Sequence, residues 1–136
     1  MVFVHGLSGA VGHALLTLSK LQGARVFGTA SPKNHAGLID LGATPFAYSD
    51  KSWINAMQSG GGVDVVFDAL GFESYDESYS ILRRRGKLVA YGLNLPALSG
   101  TPPRPVLRAV IKLLVRNLAF WSGKKTSFYY SAVGGQ

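Results

Sequence analysis

The sequence predicts an α/β fold, a doubly wound parallel sheet of six strands with helices on both faces. Short runs rich in β-branched and aromatic residues alternate with stretches of helical spacing, which is the order that βαβ units give. Crossovers between such units are right-handed and leave the strands parallel. A glycine-rich turn, GLSGAVG at residues 6–12, follows the first strand, at the carboxyl end where such sheets bind their ligands.

The strands are predicted from short apolar runs that are bounded by glycine, proline or polar residues. In chain order they are VFVH (2–5), ARVFGTA (24–30), PFAY (45–48), VDVVFDAL (63–70), KLVAYG (87–92) and SFYYSAV (127–133). The fourth is a nearly continuous apolar run, as expected of a strand that is buried on both faces.

Helices are predicted in the intervals between these strands, at 11–22, 31–42, 51–58, 73–83 and 105–121. The first ends before Gly23, a C-cap glycine, and one of its faces carries Val11, Ala14, Leu15, Leu18 and Leu21. The second opens on a Ser-Pro pair and closes at Gly42. The last follows a Pro/Gly-rich loop and sets three basic residues opposite an apolar face, namely Arg108, Lys112 and Arg116.

Length and composition indicate one globular domain over residues 1–136. The chain is 47% apolar and 15% charged, which excludes a disordered protein. It has no cysteine, so disulfides and thiolate metal sites are excluded. The start lacks the basic region and apolar core of a signal peptide, and no run reaches the ~20 apolar residues of a membrane span. We therefore expect a cytoplasmic location, or an organelle matrix if a transit peptide has been removed.

The net charge of +7 is concentrated in the second half of the chain. Residues 78–136 hold ten of the fourteen basic residues and none of the seven acidic ones. A basic segment indicates an anionic partner or an ordinary solvated face, and we favour the solvated face. No nucleic-acid motif accompanies the charge, so nucleic acid is not expected as a partner. The amphipathic helix at 105–121 is also compatible with a membrane surface, although we favour packing against the core.

The turn at residues 6–12 has the context of a dinucleotide-binding fingerprint, because a strand precedes it and a helix follows it. Gly9 lets backbone N–H groups approach a pyrophosphate, and Gly12 lets the helix pack closely on the strand. The pattern differs from G-x-G-x-x-G, since Leu7 stands where the first glycine is expected and Gly6 comes one place early. The alternative is a strand-to-helix turn that needs glycine for its geometry alone.

The end of the second strand indicates which dinucleotide binds. NAD sites carry an acidic residue about 20 residues beyond the glycines, where it binds the ribose 2′-hydroxyl. Here that place is Ala30, and Ser31 and Lys33 follow it. Alanine removes a repelling charge, serine can donate a hydrogen bond, and lysine supplies a point charge for a 2′-phosphate. The sequence thus favours NADP(H), the alternative being that Ser-Pro-Lys-Asn is only a polar helix start.

Four blocks follow one another over residues 2–93, namely VFVHGLSGAVGHALLTLSKLQGARVFGTAS, LGATPFAYSD, GGVDVVFDALG and LRRRGKLVAYG. In order and spacing they resemble the nucleotide-binding domain of the medium-chain dehydrogenase/reductase superfamily, and most of all its zinc-independent quinone oxidoreductase branch. The segment GKKTSFYYS at 123–131 is similar to the return strand of some members. Leu7 departs from the small residue usual at its place, and Arg83–Arg85 depart from a common turn.

The resemblance implies a Rossmann fold that binds NADP(H), and it assigns residues of this chain to parts of the cofactor. The pyrophosphate would lie along Ser8, Gly9, Ala10 and Val11, next to Gly12. The adenosine 2′-phosphate would lie among Thr29, Ser31 and Lys33, with Tyr48 near the adenosine phosphates. Leu70 and Gly71 would lie along the cofactor, and the nicotinamide would be approached by Gly92, Leu93 and Asn94.

The resemblance also implies hydride transfer between NADPH and a small carbonyl, quinone or enone substrate. The family places a catalytic domain before this one, so we expect residues 1–136 to be a fragment of a larger oxidoreductase, with little turnover alone. It further implies a homodimer through the last strand. The alternative function is a non-catalytic dinucleotide-binding module that senses cofactor or docks on a membrane or partner through its basic C-terminal helix.

Three further residues are of types that can take part in chemistry. His5 and His13 flank the glycine turn, but no third ligand stands at a suitable spacing, so we expect structural or surface roles and no metal. Asp68 ends the fourth strand, where it either bonds nearby backbone or faces the cofactor. The turn is not a nucleophile elbow, because Gly-Leu-Ser-Gly-Ala is not G-x-S-x-G. No catalytic residue is therefore assigned.

Overall fold

The structure, a computed structural model, describes residues 1–71, 73–91, 111, 112, 115 and 123–129. Its strands are β1 Val2–His5, β2 Val26–Ala30, β3 Ala43–Ala47, β4 Val63–Asp68, β5 Leu82–Ala90 and β6 Lys125–Phe128. Its helices are α1 Ala10–Leu21, α2 His35–Asp40, α3 Ser52–Ser59 and α4 Glu73–Ser80, with a 3₁₀ turn at Pro32–Asn34 that leads into α2.

The six strands form one sheet in the order β3-β2-β1-β4-β5-β6, and every neighbouring pair is parallel. This order is that of a doubly wound dinucleotide-binding sheet, so the predicted fold class is confirmed. From β1 the chain builds outwards through β2 and β3, and it then returns to the other side of β1 to begin β4. The crevice at the carboxyl ends of β1 and β4 is therefore the topological switch point, where such sheets bind ligands.

Two apolar clusters cover the two faces of the sheet. Successive residues of a strand point to opposite faces, so Phe3 belongs to one cluster and Val4 to the other. The Phe3 cluster contains Trp53 and Met57 of α3 and Tyr75 of α4. The Val4 cluster contains Leu16 of α1 and Leu38 of α2, together with Leu7 of the glycine turn and Val26 of β2.

Helix α1 forms where it is predicted, but it does not bury its predicted apolar face. Its buried residues are Gly12 and Leu16, whereas Val11, Leu18 and Leu21 are exposed. The cause is the contact at Gly12, where a Cβ would lie only 2.0 Å from the carbonyl oxygen of Gly6. This approach fixes the rotation of the helix. The face that carries Gly12 and, one turn later, Leu16 is therefore buried, even though another face of the helix is more apolar.

The junction of β4 and β5 differs from the prediction. Helix α4 ends at Ser80 instead of residue 83, and β5 begins at Leu82 instead of residue 87. The register shifts between the pairs Val63↔Leu82 and Val65↔Lys87, so the extra residues of β5 bulge out of the sheet. Arg85 takes a positive φ of 68° in this bulge, which explains how the arginine run enters a strand without regular pairing.

The predictions for the last helix and the last strand can be compared with the structure only in part. Strand β6 covers residues 125–128 instead of 127–133, and residues 130–133 lie outside the described part of the chain. Of the helix predicted at 105–121, residues 111, 112 and 115 are described and are helical. None of the helices in the described part of the chain has the length and apolar character that crossing a bilayer requires.

Candidate functional site

The turn between β1 and α1 is built around close contacts between backbone atoms. Gly6 takes a φ of +76°, and the N–H of Gly9 donates to the carbonyl oxygen of Gly6 at 3.1 Å. A Cβ at Gly12 would lie 2.8 Å from the Gly6 carbonyl carbon and 3.0 Å from Leu7 Cα, both of them backbone atoms. Gly12 therefore has the packing role that its place in the pattern predicts, whereas a Cβ at Gly9 meets only an ordinary contact of 3.4 Å.

Leu7 explains why the turn tolerates a large residue where the ideal pattern has glycine. Its side chain is fully buried in the Val4 cluster and packs onto the backbone of β2 at Gly28. A Cβ at Gly28 would lie 2.7 Å from Leu7 Cγ and 2.1 Å from the carbonyl oxygen of Val4. Leu7 thus points into the core, away from the crevice, and its bulk is matched by a glycine on the neighbouring strand.

The first turn of α1 lies at the crevice. The first helical bond runs from the N–H of His13 to the carbonyl oxygen of Gly9 at 2.8 Å. The amides of Ala10, Val11 and Gly12 precede it and have no carbonyl partner within the helix. No acidic residue lies in this first turn, so the positive end of the helix dipole is not neutralised locally. This end of α1 can therefore hold an anion such as a pyrophosphate.

A groove of about 290 Å³ runs along this turn at the carboxyl ends of the strands. It is lined by His5, Gly6, Gly9, Ala10, Val11, Gly12, Tyr48, Ala69, Leu70 and Tyr91. Tyr48 follows β3 and is exposed, so its ring forms an outer wall of the groove. A smaller pocket of about 70 Å³ adjoins it and shares His5, Tyr48 and Leu70.

Asp68, the last residue of β4, is fully buried beneath this groove. Its Oδ1 accepts the N–H of Leu70 at 2.8 Å and that of Gly71 at 3.3 Å. Its Oδ2 accepts the hydroxyls of Ser74 at 2.7 Å and Ser78 at 2.6 Å. Of the two roles predicted for Asp68, the structure shows the first, a bond to nearby backbone. The carboxylate shapes the loop from β4 to α4 that lies along the groove.

His5 and Thr29 join the glycine turn to this buried carboxylate. The hydroxyl of Thr29 accepts the N–H of Gly6 at 3.2 Å and lies 3.4 Å from His5 Nδ1. His5 Nε2 lies 2.9 Å from Ser78 Oγ and 3.9 Å from Asp68 Oδ2. Thr29 is buried, so its hydroxyl holds the turn instead of standing at the surface beside Ser31 and Lys33.

Burial governs the titration of the groups around Asp68. It lowers the pKa of His5 below 6.5, against the opposing effect of the nearby Asp68 carboxylate, so that His5 stays neutral. Burial, reinforced by Asp68, raises the pKa of the Tyr91 phenol to about 12 and raises that of Tyr75 as well. Both phenols therefore remain protonated donors at neutral pH.

The end of β2 has the polarity that the sequence predicts. Ala30 is its last residue and is fully buried, and its carbonyl oxygen is 3.0 Å from His35 Nε2. Ser31 begins the 3₁₀ turn without a side-chain capping bond. Lys33 is exposed, and no ion pair joins it to a carboxylate in the described part of the chain. No acidic side chain thus occupies the place where NAD sites carry one.

The structure brings some of the predicted site residues together in the groove and leaves others apart. Those that line it are Gly9, Ala10, Val11, Gly12, Tyr48 and Leu70. Ser8 is exposed on the turn, and Gly71 is buried at the foot of the β4–α4 loop with a φ of +80°. Gly92, Leu93 and Asn94 lie outside the described residues.

Sequence reasoning missed several residues of this site. Tyr91 lines the groove directly after β5, and His5, expected to be structural or superficial, lines it from below. Ser74 and Ser78 also belong to the site, because their spacing of four residues places both on the face of α4 that meets Asp68. In the sequence, two serines four residues apart shortly after an aspartate at the end of a strand were the signal for this contact.

The basic face predicted for residues 105–121 is described at one position. Lys112 pairs with Asp76 of α4 at 2.8 Å, and both side chains are largely exposed. Arg108 and Arg116 lie outside the described residues. Of the three basic residues on which the membrane-docking alternative depends, Lys112 is thus already paired with a carboxylate of the same chain.

Comparison with known proteins identifies the family. The sequence pattern of the zinc-binding dehydrogenase family matches residues 10–131. The chain is 36% identical over 96 residues to the human synaptic vesicle membrane protein VAT-1 homolog, covering 68% of this chain and 24% of that protein. It is 33% identical over 96 residues to a 2-haloacrylate reductase of a Burkholderia species, covering 67% of this chain and 29% of the reductase.

A solved structure extends the likeness to nearly the whole chain. A mycobacterial quinone oxidoreductase superposes with a TM-score of 0.66 at 27% identity, over 95% of this chain and 38% of the oxidoreductase. The chain spans about a quarter of the length of these two curated relatives. It therefore belongs to the zinc-binding dehydrogenase family of the medium-chain dehydrogenase/reductase superfamily and corresponds to the nucleotide-binding region of that family.

Proposed function

We propose that this chain binds NADP(H) and is the cofactor-binding domain of an oxidoreductase that reduces a quinone, an enone or another small carbonyl compound. The observation that carries the proposal is the groove at the switch point, which is lined by Ala10, Val11 and Gly12, the residues whose amides precede the first bond of α1. Backbone donors at a helix N-terminus recognise the charge and shape of a phosphate without needing a basic side chain.

The space at Gly9 supports a bound pyrophosphate over a purely structural turn. A Cβ at this position would make only an ordinary contact within the protein, so the fold itself does not require glycine there. A ligand lying directly against the backbone does require it, since a side chain would stand between the phosphates and the amides. Gly9 is thus explained by a ligand, whereas Gly12 is explained by helix packing.

The end of β2 supports NADP(H) over NAD(H). Ala30 carries no charge, and the exposed Lys33 has no carboxylate partner among the described residues. A 2′-phosphate would find a cation and the Ser31 hydroxyl close to the end of the strand. A ribose 2′-hydroxyl, in contrast, would find no carboxylate to accept its hydrogen bond.

The reaction class rests on the relatives. Members of this superfamily bind nicotinamide dinucleotides, and the matched proteins include a 2-haloacrylate reductase and a quinone oxidoreductase. Bound nicotinamide supplies the hydride. This chain's residues would hold the pyrophosphate and orient the cofactor along Leu70 and Tyr91, so that one face of the ring is presented to a substrate. We also propose that a second copy pairs along β6, the edge strand of the sheet.

The described residues do not fit the zinc that the family's description implies. No group of three His, Cys, Asp or Glu side chains among them could hold a metal ion. The whole sequence also lacks cysteine. We therefore assign zinc no role in this chain.

Calorimetric titration of the chain with NADPH and NADH tests the proposal, with Lys33→Ala as the variant. We expect the wild type to prefer NADPH. We also expect Lys33→Ala to weaken NADPH about 5- to 10-fold, the loss of one exposed charge-assisted contact, while NADH stays within about twofold. Lys20→Ala, which removes an exposed lysine from the last turn of α1, is the matched control. Absence of binding by the folded wild type would overturn the cofactor assignment, and equal loss of both cofactors in Lys33→Ala would overturn the role of Lys33.

A further inference from the structure

A chain of buried polar groups runs beneath the groove from one of its walls to the other. It begins at the N–H of Gly6 in the glycine turn and ends at Asp68, whose Oδ1 holds the amides of the β4–α4 loop. Between them lie Thr29, His5 and Ser78. All four side chains are at most 3% exposed, so water cannot readily replace a partner that moves away.

The Asp68 carboxylate decides which group donates and which accepts in every hydrogen bond of this series. An ionised carboxylate only accepts, so Ser78 uses its single proton on Asp68 at 2.6 Å. Ser78 Oγ must then accept from His5 Nε2 at 2.9 Å, which makes neutral His5 the Nε2–H tautomer. His5 Nδ1 is left as an acceptor for the hydroxyl of Thr29 at 3.4 Å. That hydroxyl in turn accepts the N–H of Gly6 at 3.2 Å.

We infer that His5 is a positioning residue for the groove, because it couples the glycine turn to the β4–α4 loop through this directed chain of hydrogen bonds. The inference rests on the proposed function. If the chain binds the cofactor, its affinity depends on side chains that do not reach the cofactor's phosphates. His5 relays the coupling because its two ring nitrogens play opposite roles, one donating and one accepting. Loss of the Ser78 hydroxyl would let the ring turn towards Asp68 Oδ2, which is 3.9 Å from Nε2, and release the Thr29 hydroxyl that holds Gly6.

The tautomer can be observed directly by ¹⁵N NMR of the imidazole rings in the full chain without cofactor. We expect His5 to be neutral with its proton on Nε2, since burial lowers its pKa. A proton on Nδ1 would reverse the donor and acceptor roles of the two ring nitrogens and overturn the inference.

The coupling is tested by amide hydrogen exchange in Ser78→Ala, which removes the hydroxyl between His5 and Asp68 and leaves the Thr29–Gly6 contact itself untouched. We expect exchange at Gly6 to accelerate about 2- to 10-fold, the range for loss of one hydrogen bond, while Val89 in β5 keeps its wild-type rate. The control is Ser80→Ala in the same helix, whose hydroxyl bonds only the exposed carbonyl of Glu77 in the described structure. Wild-type exchange at Gly6 in Ser78→Ala would overturn the inference.

Variants of Thr29 separate positioning from a simple loss of stability. Thr29→Val keeps the shape and removes the hydroxyl, so we expect NADPH to bind about 2- to 10-fold more weakly. Thr29→Ser restores the hydroxyl and should restore the affinity. Thr17→Val, the same change on the exposed face of α1, should leave it unaltered.

Equal affinities in Thr29→Val and wild type would overturn the link to the cofactor. Failure of the wild type to bind NADPH would instead overturn the proposed function, and exchange at Gly6, which needs no cofactor, would then decide the inference.

Discussion

Gly12→Ala is the substitution that tests most directly how the fold builds the groove. The added Cβ would lie 2.0 Å from the Gly6 carbonyl oxygen, 2.8 Å from the Gly6 carbonyl carbon and 3.0 Å from Leu7 Cα. These are backbone atoms of the turn itself, so no side-chain rotation relieves the overlap. Since ordinary contacts begin near 3.4 Å, α1 must move away from β1 by about 1 Å or more, or the turn must deform.

The magnitude follows from two opposing effects. Forcing an extra carbon into a close-packed contact costs about 1–3 kcal/mol, and a backbone overlap belongs at the upper end. The better helix propensity of alanine offsets about 1 kcal/mol of this cost. We therefore expect the free energy of unfolding to fall by about 2 kcal/mol. Because the shift moves the amides that face the groove, NADPH should bind at least about tenfold more weakly.

Urea unfolding and calorimetry with NADPH measure the two effects. Gly37→Ala is the matched control, since Gly37 also lies in a helix and a Cβ there meets nothing within 4 Å. The control should keep its affinity and gain up to about 1 kcal/mol of stability. If Gly12→Ala unfolds at the same urea concentration as the wild type, the close approach of α1 to the turn is not the constraint described above, and the reasoning fails.

Three further predictions follow. Gly9→Ala should leave the unfolding midpoint unchanged and weaken NADPH about tenfold or more in calorimetry, because its Cβ is tolerated by Gly6 but stands in the groove; equal affinity would contradict it. Leu7→Ala should cost about 3 kcal/mol in urea unfolding, since the side chain is fully buried; a loss under about 1 kcal/mol would contradict it. Burial lowers the pKa of His5, so below 6.5 only the unfolded chain gains its proton. Stability should then fall by up to about 1.4 kcal/mol per pH unit, a slope that His5→Gln removes.

Much of the site was predictable because its determinants are local. The glycine spacing, the preceding strand and the following helix identify the turn, and Ala30 with Ser31 and Lys33 identifies the polarity at the end of β2. The polar chain beneath the groove was not predictable in the same way. His5 and Ser78 are 73 residues apart, and nothing in either local sequence indicates that they meet.

The fold class and the place of the glycine-rich turn follow from the amino-acid sequence alone. Alternating strands and helices allow few topologies, and a glycine-rich turn after the first strand can lie only at the carboxyl edge of the sheet. Tertiary structure alone decided which face of α1 is buried, where Leu7 points, and which side chains tie the two loops together. These depend on contacts between residues distant in sequence, where the approach of Gly12 to Gly6 and the burial of Asp68 outweigh the local apolar pattern.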